Sequence, residues 1–299
     1  MKRTAVTTLL AAATALLPLT SGSQEITASA AGVPHSVGSL AASVRSPASA
    51  DARLGDGVAT IYNTGWSGYA QVGNKAGEFT AVMAQWKVPK IDTKLPGNQY
   101  ASDWVGIDGA GTNQTLVQAG IEEKNVNGKA RYYAWSEAVP HLAVRFFLHI
   151  FAGDVVIVKV QEVAVNTWKL SVTTSGGATK SRTVSYTTPG EDAEAIHERP
   201  SICVDGKCHL PQLARTSNVD FQGVWASFSP PGQSPGWEYI SGSFAGATLQ
   251  RIFMVNHIGG TVIASPSAIP NLDNCFTVAD GSNPPPTPTY PKECLFPPG

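Results

Sequence analysis

The sequence predicts an all-β protein built as a sandwich of two sheets. Apolar and polar residues alternate with a period of two in many short runs, including 79–88, 144–150 and 154–161. Such alternation is typical of half-buried strands. Gly, Pro, Asn and Ser break the chain between the runs, and no amphipathic helix of three turns is indicated after the N-terminal segment. Many short strands with breaks of this kind favour a β-sandwich.

Further strands follow along the chain. The runs 167–173 and 180–186 flank the turn sequence Ser-Gly-Gly-Ala at 175–178, which predicts a β-hairpin. Later strands are expected over 219–227, 248–255 and 276–278.

The two ends of the chain differ from its centre. Lys2 and Arg3 precede an Ala- and Leu-rich run over 6–19 that is too short to span a bilayer, as in a secretory signal. We therefore expect a signal peptide at 1–31 and a secreted, extracellular product. Residues 32–58 are interpreted as a linker or a propeptide, 59–280 as one domain, and 281–299 as a Pro-rich tail.

Composition limits the classes of function. Of 299 residues, 42% are hydrophobic and 14% are charged, which suits one large domain with a sizeable core. The formal net charge of −1 predicts neither a nucleic-acid partner nor a basic membrane-binding face.

Four cysteines agree with an oxidising destination. Cys203 and Cys208 enclose a turn sequence that can bring them together, which leaves Cys275 and Cys294 as the second pair. This pairing is the expected one, although four cysteines allow three connectivities. No ligand spacing typical of a metal site is present.

Polar residues inside apolar, strand-like runs are the candidates for chemistry. Gln118 lies within 115–120 and Glu194 within 193–200, while the segments 103–109 and 133–137 carry further polar and aromatic residues. A carboxylate and a carboxamide on one sheet face can together bind a water and a carbonyl oxygen, which hydrolysis of an amide requires.

These four segments, in this order, resemble the glutamic peptidases, or eqolisins, over roughly residues 66–278. The resemblance implies two stacked, curved antiparallel sheets like those of concanavalin A-type lectins. It also implies a pepstatin-insensitive acid endopeptidase in which Glu194 activates water and Gln118 stabilises the oxyanion. Proteins and peptides would be its substrates, without a cofactor or a metal, and the enzyme would be a monomer.

The resemblance extends to a supporting set that lines the cleft around Glu194 and Gln118. Its members in this sequence are Trp66, Trp104, Asp108, Trp135 and Glu137. Core packing is an equally good interpretation of Trp66 and Trp104.

Two positions depart from the family pattern. Tyr133 stands where an Asp is usual, so Glu137 or Asp108 is expected to carry more of the proton network. Ala195 stands where an aromatic residue usually follows the Glu, which would open the cleft or change specificity. Glu198, four residues after Glu194, shares its face and competes for its role.

Two other functions remain open. A sandwich of this kind also suits a glycoside hydrolase with two carboxylates, such as Glu194 and Glu137. A lectin-like module that binds sugars on Trp faces is the second alternative. Only the peptidase interpretation requires Gln118.

Overall fold

The fold was derived from a computed structural model that describes residues 58–111, 113–204, 207–240, 247–269 and 274–286. The expected signal peptide, nearly all of the expected linker or propeptide, most of the Pro-rich tail and Cys294 lie outside these residues. Within them there is no helix, and hence none that could cross a membrane.

The described chain forms nineteen strands. In order they are β1 Val58–Asn63, β2 Trp66–Val72, β3 Ala81–Lys87, β4 Gln99–Ile107, β5 Val117–Val126, β6 Lys129–Ala138, β7 Val144–Arg145, β8 Val155–Ala164, β9 Thr167–Thr174, β10 Thr179–Ser185, β11 Asp192–Glu198, β12 Ile202–Val204, β13 Lys207–His209, β14 Gln212–Leu213, β15 Val219–Ser227, β16 Trp237–Tyr239, β17 Thr248–Val255, β18 Val262–Pro266 and β19 Phe276–Asp280.

The strands form two layers. The first sheet has the order β1-β17-β2-β11-β4-β5-β6-β7, and the second has the order β10-β9-β8-β3-β15. A ladder from β17 through β18 and β19 to β15 links them at one side. The all-β sandwich predicted from the sequence is confirmed. Most pairings are antiparallel as expected, but β1 with β17 and β14 with β4 are parallel.

Alternation along each strand of the first sheet separates two apolar clusters. The core between the sheets contains Tyr69, Val105, Ile107 and Ala119 from the first sheet and Trp86 from the second. A second cluster covers the opposite face of the first sheet, which we call the site face. Its main members are Trp66, Trp104, Leu116, Trp135, Ile196 and Ile252.

One expected strand is much shorter than its pattern. The alternation over 144–150 continues past the ladder, but only Val144 and Arg145 pair with β6. Phe147 is 85% exposed, so its apolar character does not reflect a buried face. Periodicity alone cannot show that a neighbouring strand ends early.

The disulfide predicted in the short loop is confirmed. Cys203 and Cys208 are directly opposite each other on β12 and β13, and their sulfur atoms are bonded at 1.99 Å. Cys275 is also disulfide-bonded, while its expected partner Cys294 lies outside the described residues.

Candidate active site

The two residues singled out in the sequence lie in one row across the first sheet. Glu194 on β11 is directly opposite Gly106 on β4, and Gly106 is directly opposite Gln118 on β5. Glu137 on β6 continues the row beyond Gln118. Neighbouring strands are about 4.8 Å apart, so the Cα atoms of Glu194 and Gln118 are about 10 Å apart, with a glycine between them. The side chains of Glu194, Gln118 and Glu137 all point to the site face.

Gly106 leaves room for the carboxylate between the two strands. A Cβ atom at this position would lie 2.7 Å from Glu194 Oε1, 2.8 Å from the Trp104 ring and 2.9 Å from Leu116 Cδ1. All three distances are shorter than real Cβ contacts, so any side chain would displace its neighbours. The Glu194 carboxylate therefore leans over the backbone that separates it from Gln118.

Glu194 is completely buried, and no described residue donates a hydrogen bond to either of its oxygens. Burial raises the pKa of its carboxyl group well above the usual range, and the charge and hydrogen bonding of Asp192 raise it further. Buried carboxylates normally have hydrogen-bond donors, so this group is held in a state that favours binding a proton.

Gln118 is also completely buried and is held by Glu137. Its Nε2 donates a hydrogen bond of 2.9 Å to Glu137 Oε2, while its Oε1 has no partner among the described residues. The carboxylate thus fixes the orientation of the amide.

Glu198, the remaining acidic residue of the motif, accepts hydrogen bonds from two tryptophans. It accepts hydrogen bonds from Trp104 Nε1 at 2.8 Å and from Trp66 Nε1 at 3.4 Å. The two indole rings meet edge to face, with centroids 5.0 Å apart. Burial and the charge of Glu137 raise the pKa of the Glu198 carboxyl group. Trp66 and Trp104 therefore belong to the site face and orient Glu198, which lies one row of side chains beyond Ile196.

Trp135 and Asp108 have different surroundings. Trp135 lies on the site face and donates from Nε1 to Ser102 Oγ at 3.1 Å.

Asp108 follows β4 in a left-handed conformation with φ of 68°. Its carboxylate accepts from the backbone N–H groups of Gly190 and Glu191, each at 2.7 Å. Asp108 therefore fixes the loop that leads into β11.

The two departures from the family pattern are explained differently. Tyr133 lies on the site face, with the Arg145 guanidinium 3.8 Å and the Lys124 ammonium 4.9 Å from its ring centroid. Both cations also pair with Glu122, at 3.3 and 3.1 Å. An aromatic and ionic cluster therefore occupies the place where the family usually has an Asp.

Ala195 does not border the cleft, contrary to the expectation that it would open the cleft or change specificity. Its side chain points into the core between the sheets, because it follows Glu194 directly and alternate residues of a strand face opposite sides.

The sequence interpretation missed Asp192. It lies two residues before Glu194 on the same strand face and is completely buried. Its Oδ1 accepts from Ala110 N at 2.9 Å and its Oδ2 from Gly111 N at 3.0 Å. Burial, and then the charge of Asp108, raise the pKa of Asp192 to about 7. The spacing of two between acidic residues on a strand is the signal that could have revealed the pair.

No group of three or more His, Cys, Asp and Glu residues in the described part of the chain is arranged to hold a metal ion.

Comparison with known proteins decides the family. The model of the peptidase A4 family matches residues 64–252, which include the whole row described above. The chain belongs to this family.

Individual relatives are more distant. Aspergillopepsin-2 of Aspergillus niger is 28% identical over 119 residues, which are 33% of this chain and 41% of that protein. The match therefore spans about two fifths of the length of this curated relative.

Two solved structures share the fold. Scytalido-glutamic peptidase with a peptide-based transition-state analogue gives a TM-score of 0.57 at 21% identity. SCP-B, a member of the eqolisin family in complex with the tripeptide Ala-Ile-His, gives a TM-score of 0.55 at 19% identity. Each comparison covers 73% of this chain and 98% of the other.

Proposed function

We propose that this peptidase A4 family member is a secreted endopeptidase that hydrolyses peptide bonds with water activated by Glu194 and an oxyanion stabilised by Gln118. The observation that carries the proposal is the row in which Glu194 and Gln118 flank Gly106. A peptide carbonyl above Gly106 would have a proton acceptor on one side and an amide donor on the other.

The chemistry follows from the protonation of the two groups. Glu194 takes a proton from water as the water oxygen attacks the carbonyl carbon, and then returns it to the leaving nitrogen as the C–N bond breaks. Gln118 Nε2 donates to the oxyanion, and an amide keeps this donor at every pH. Since both side chains are buried, the substrate reaches them only when covering side chains move.

The site favours a peptidase over the two other functions. Glu137 lies beyond Gln118 in the row, so the Gln118 amide stands between the two carboxylates that a glycosidase would use. Glu137 is also engaged by Gln118. The site-face tryptophans Trp66, Trp104 and Trp135 are each at most 4% exposed, whereas sugar-binding faces need to be accessible.

The test is digestion of casein as a function of pH by the wild type and by Glu194→Gln and Gln118→Ala. Glu194→Gln keeps the shape of the side chain but removes the proton acceptor, so proteolysis should fall to background. Gln118→Ala removes an oxyanion donor, and we expect a loss of about 10²–10³ in rate. Gln118→Glu should also be inactive, because a second carboxyl offers no permanent donor. Pepstatin should not inhibit the wild type.

Matched controls are available. Glu238→Gln on β16 and Gln114→Ala in the loop before β5 make similar changes at exposed positions and should keep full activity. Circular dichroism establishes that each variant is folded. Wild-type proteolysis by folded Glu194→Gln would refute the proposal. Loss of β-glucan hydrolysis in the same variant would instead support the glycosidase.

Secretion and a monomeric state belong to the same proposal. The disulfide between Cys203 and Cys208 suits an oxidising compartment. N-terminal sequencing of the protein from culture medium tests export, and light scattering tests the monomer.

A further inference from the structure

Two cations lie on the site face at a distance from the proposed catalytic row. Lys124 on β5 and Arg145 on β7 lie over the ring of Tyr133, at 4.9 and 3.8 Å from its centroid. Glu122 accepts hydrogen bonds from both, from Lys124 Nζ at 3.1 Å and from Arg145 Nη2 at 3.3 Å. We call these four residues the cationic cluster. Its two positive charges and one negative charge leave one positive charge in excess.

Arg145 is the accessible member of the cationic cluster. Its side chain is 40% exposed, whereas the side chains of Lys124 and Glu122 are 9% and 10% exposed. A guanidinium has five N–H donors in a rigid fork, and the hydrogen bond to Glu122 uses one of them. The two buried partners and the Tyr133 ring therefore hold Arg145 in place while part of its fork stays accessible on the site face.

The described residues around the cluster do not offset its charge. Tyr100 of β4 and Arg131 of β6 lie opposite Lys124 on either side, and Arg131 is exposed. Glu198 of β11 lies two strands away from Glu122 in the same row. Burial raises the pKa of Glu198 well above its usual range, so this carboxyl group is neutral in acid. This part of the site face is therefore positively charged.

The proposed mechanism fixes the direction in which a substrate crosses the site face. The carbonyl oxygen must point along the row towards Gln118, and an extended peptide runs roughly perpendicular to its carbonyl groups. A substrate that lies on the sheet therefore runs along the strands. From Gly106, one half of it passes over Ser102, which is four residues along β4 and about 14 Å away. Ser102 is directly opposite Glu122 of the cationic cluster.

An extended chain covers this distance in about four residues. Resting on the proposed peptidase function, we propose that the cationic cluster is a specificity subsite that binds an Asp or Glu side chain of the substrate, three or four residues from the scissile bond. Arg145 donates to the substrate carboxylate from its accessible N–H groups, because a planar guanidinium matches a carboxylate in geometry. The positive charge also favours the ionised form of the bound carboxylate in moderate acid.

The residue at position 133 determines the sign of the charge in this subsite. An Asp there, as is usual in the family, would place a second negative charge beside Glu122 and cancel the excess positive charge. The Tyr133 ring instead stabilises both cations through its face. A preference for acidic substrates is therefore expected of this chain and not of relatives that have the Asp.

The test measures kcat/KM on peptides that share one cleavage site and carry Glu, Gln or Lys at single positions on either side of it. For the wild type at about pH 5.5, where a free Glu is ionised, we expect Glu to be preferred over Gln by about 3–10-fold, three or four residues away and on one side only. The preference should disappear as the pH falls through about 4.3, where the substrate carboxylate is protonated. It should also weaken with added salt.

Variants separate recognition from a structural role. Arg145→Gln should remove the difference between the Glu and Gln peptides, and Arg145→Glu should favour the Lys peptide. Tyr133→Asp should also remove the preference, whereas the conservative Tyr133→Phe keeps the ring and should retain it. Arg182→Gln, on β10 of the second sheet, removes a positive charge elsewhere and should behave as wild type. A merely structural role predicts that Arg145→Gln slows the cleavage of all peptides equally.

The outcomes distinguish this inference from the proposed function. An active wild type that cleaves the Glu, Gln and Lys peptides equally would overturn the subsite alone, as would an equal loss on all peptides in Arg145→Gln. If folded Glu194→Gln cleaves peptides like the wild type, the proposed function fails. Calorimetric binding of the Glu and Gln peptides to Glu194→Gln then still tests the subsite. Tighter binding of the Glu peptide by about 3–10-fold supports it, and equal affinities refute it.

Discussion

Replacement of Gly106 by alanine tests whether the space between Glu194 and Gln118 is essential. The new methyl group would lie 2.7 Å from Glu194 Oε1, whereas ordinary contacts begin at 3.4 Å, so the carboxylate must move by about 0.7 Å. The Trp104 ring and Leu116 Cδ1 would be displaced by similar amounts. Misplacement of a reacting group by about 1 Å can cost about 10² in rate. Crowding in a packed region typically costs about 1–3 kcal/mol in the free energy of unfolding.

The assay measures kcat/KM on a peptide substrate and the unfolding midpoint for Gly106→Ala. We expect kcat/KM to fall by about 10² and Tm by about 2–4 °C per kcal/mol lost. Gly176→Ala is the matched control, because its nearest neighbour would be 3.8 Å away in the hairpin between β9 and β10. Wild-type activity and stability in Gly106→Ala would refute the geometry of the row. A stability loss without an activity loss would show that the methyl group crowds Trp104 and Leu116 rather than Glu194.

Three further predictions concern stability. Burial and then the charge of Asp103 raise the pKa of Glu123, so the folded state holds this proton longer than the unfolded chain does. The contribution of Glu123 to the free energy of unfolding is complete at pH values below the ordinary pKa of a carboxyl group and is lost as the pH rises through the pKa of the folded state. Asp192 contributes in the same direction, and its contribution is lost between pH 3.8, its ordinary pKa, and about pH 7, its pKa in the folded state. Thermal melts should therefore show higher stability in acid and a smaller decline for Glu123→Gln, and a pH-independent Tm would contradict this. Replacement of Cys203 and Cys208 by alanine should cost about 2 kcal/mol in denaturant unfolding, given the short loop; no measurable loss would contradict the chain-entropy estimate. A chain that starts at residue 57 should fold like the full chain, whereas one that starts at 64 lacks β1, leaves β17 without its parallel partner and should aggregate in light scattering; two equally soluble products would contradict a structural role of β1.

The sequence predicted the sandwich because its strands are long, alternate well and are separated by turn residues, as with β8, β9 and β10. It failed at 144–150, where the pattern persists but the partner strand does not. Gln118 and Glu194 could be selected because polar residues stand out in apolar runs. Their alignment with Gly106 could not be predicted, because it depends on the register between strands that are distant in the chain.

The pairing of His197 with Asp103 on the opposite face of the same strands was not predicted. His197 Nδ1 lies 2.7 Å from Asp103 Oδ1 in the core between the sheets. Burial is the largest single effect and would lower the pKa of His197, but the charge and hydrogen bond of Asp103, together with the charge of Asp280, outweigh it and raise the pKa. In the sequence, His197 and Asp103 look like ordinary polar positions of a half-exposed strand. Only the presence of the second sheet makes that face an interior.

The burial of β11 on both faces has a consequence for how the chain finds its native pairing. All seven residues of this strand are buried. Its acidic residues Asp192, Glu194 and Glu198 face one side, and Ala193 and Ala195 face the apolar core. A slip of one residue against β2 and β4 would turn three carboxyl groups into that core and move the alanines to the site face. A shifted register is therefore much higher in free energy than the native one, so the acidic residues of the site also help to specify the correct strand pairing during folding.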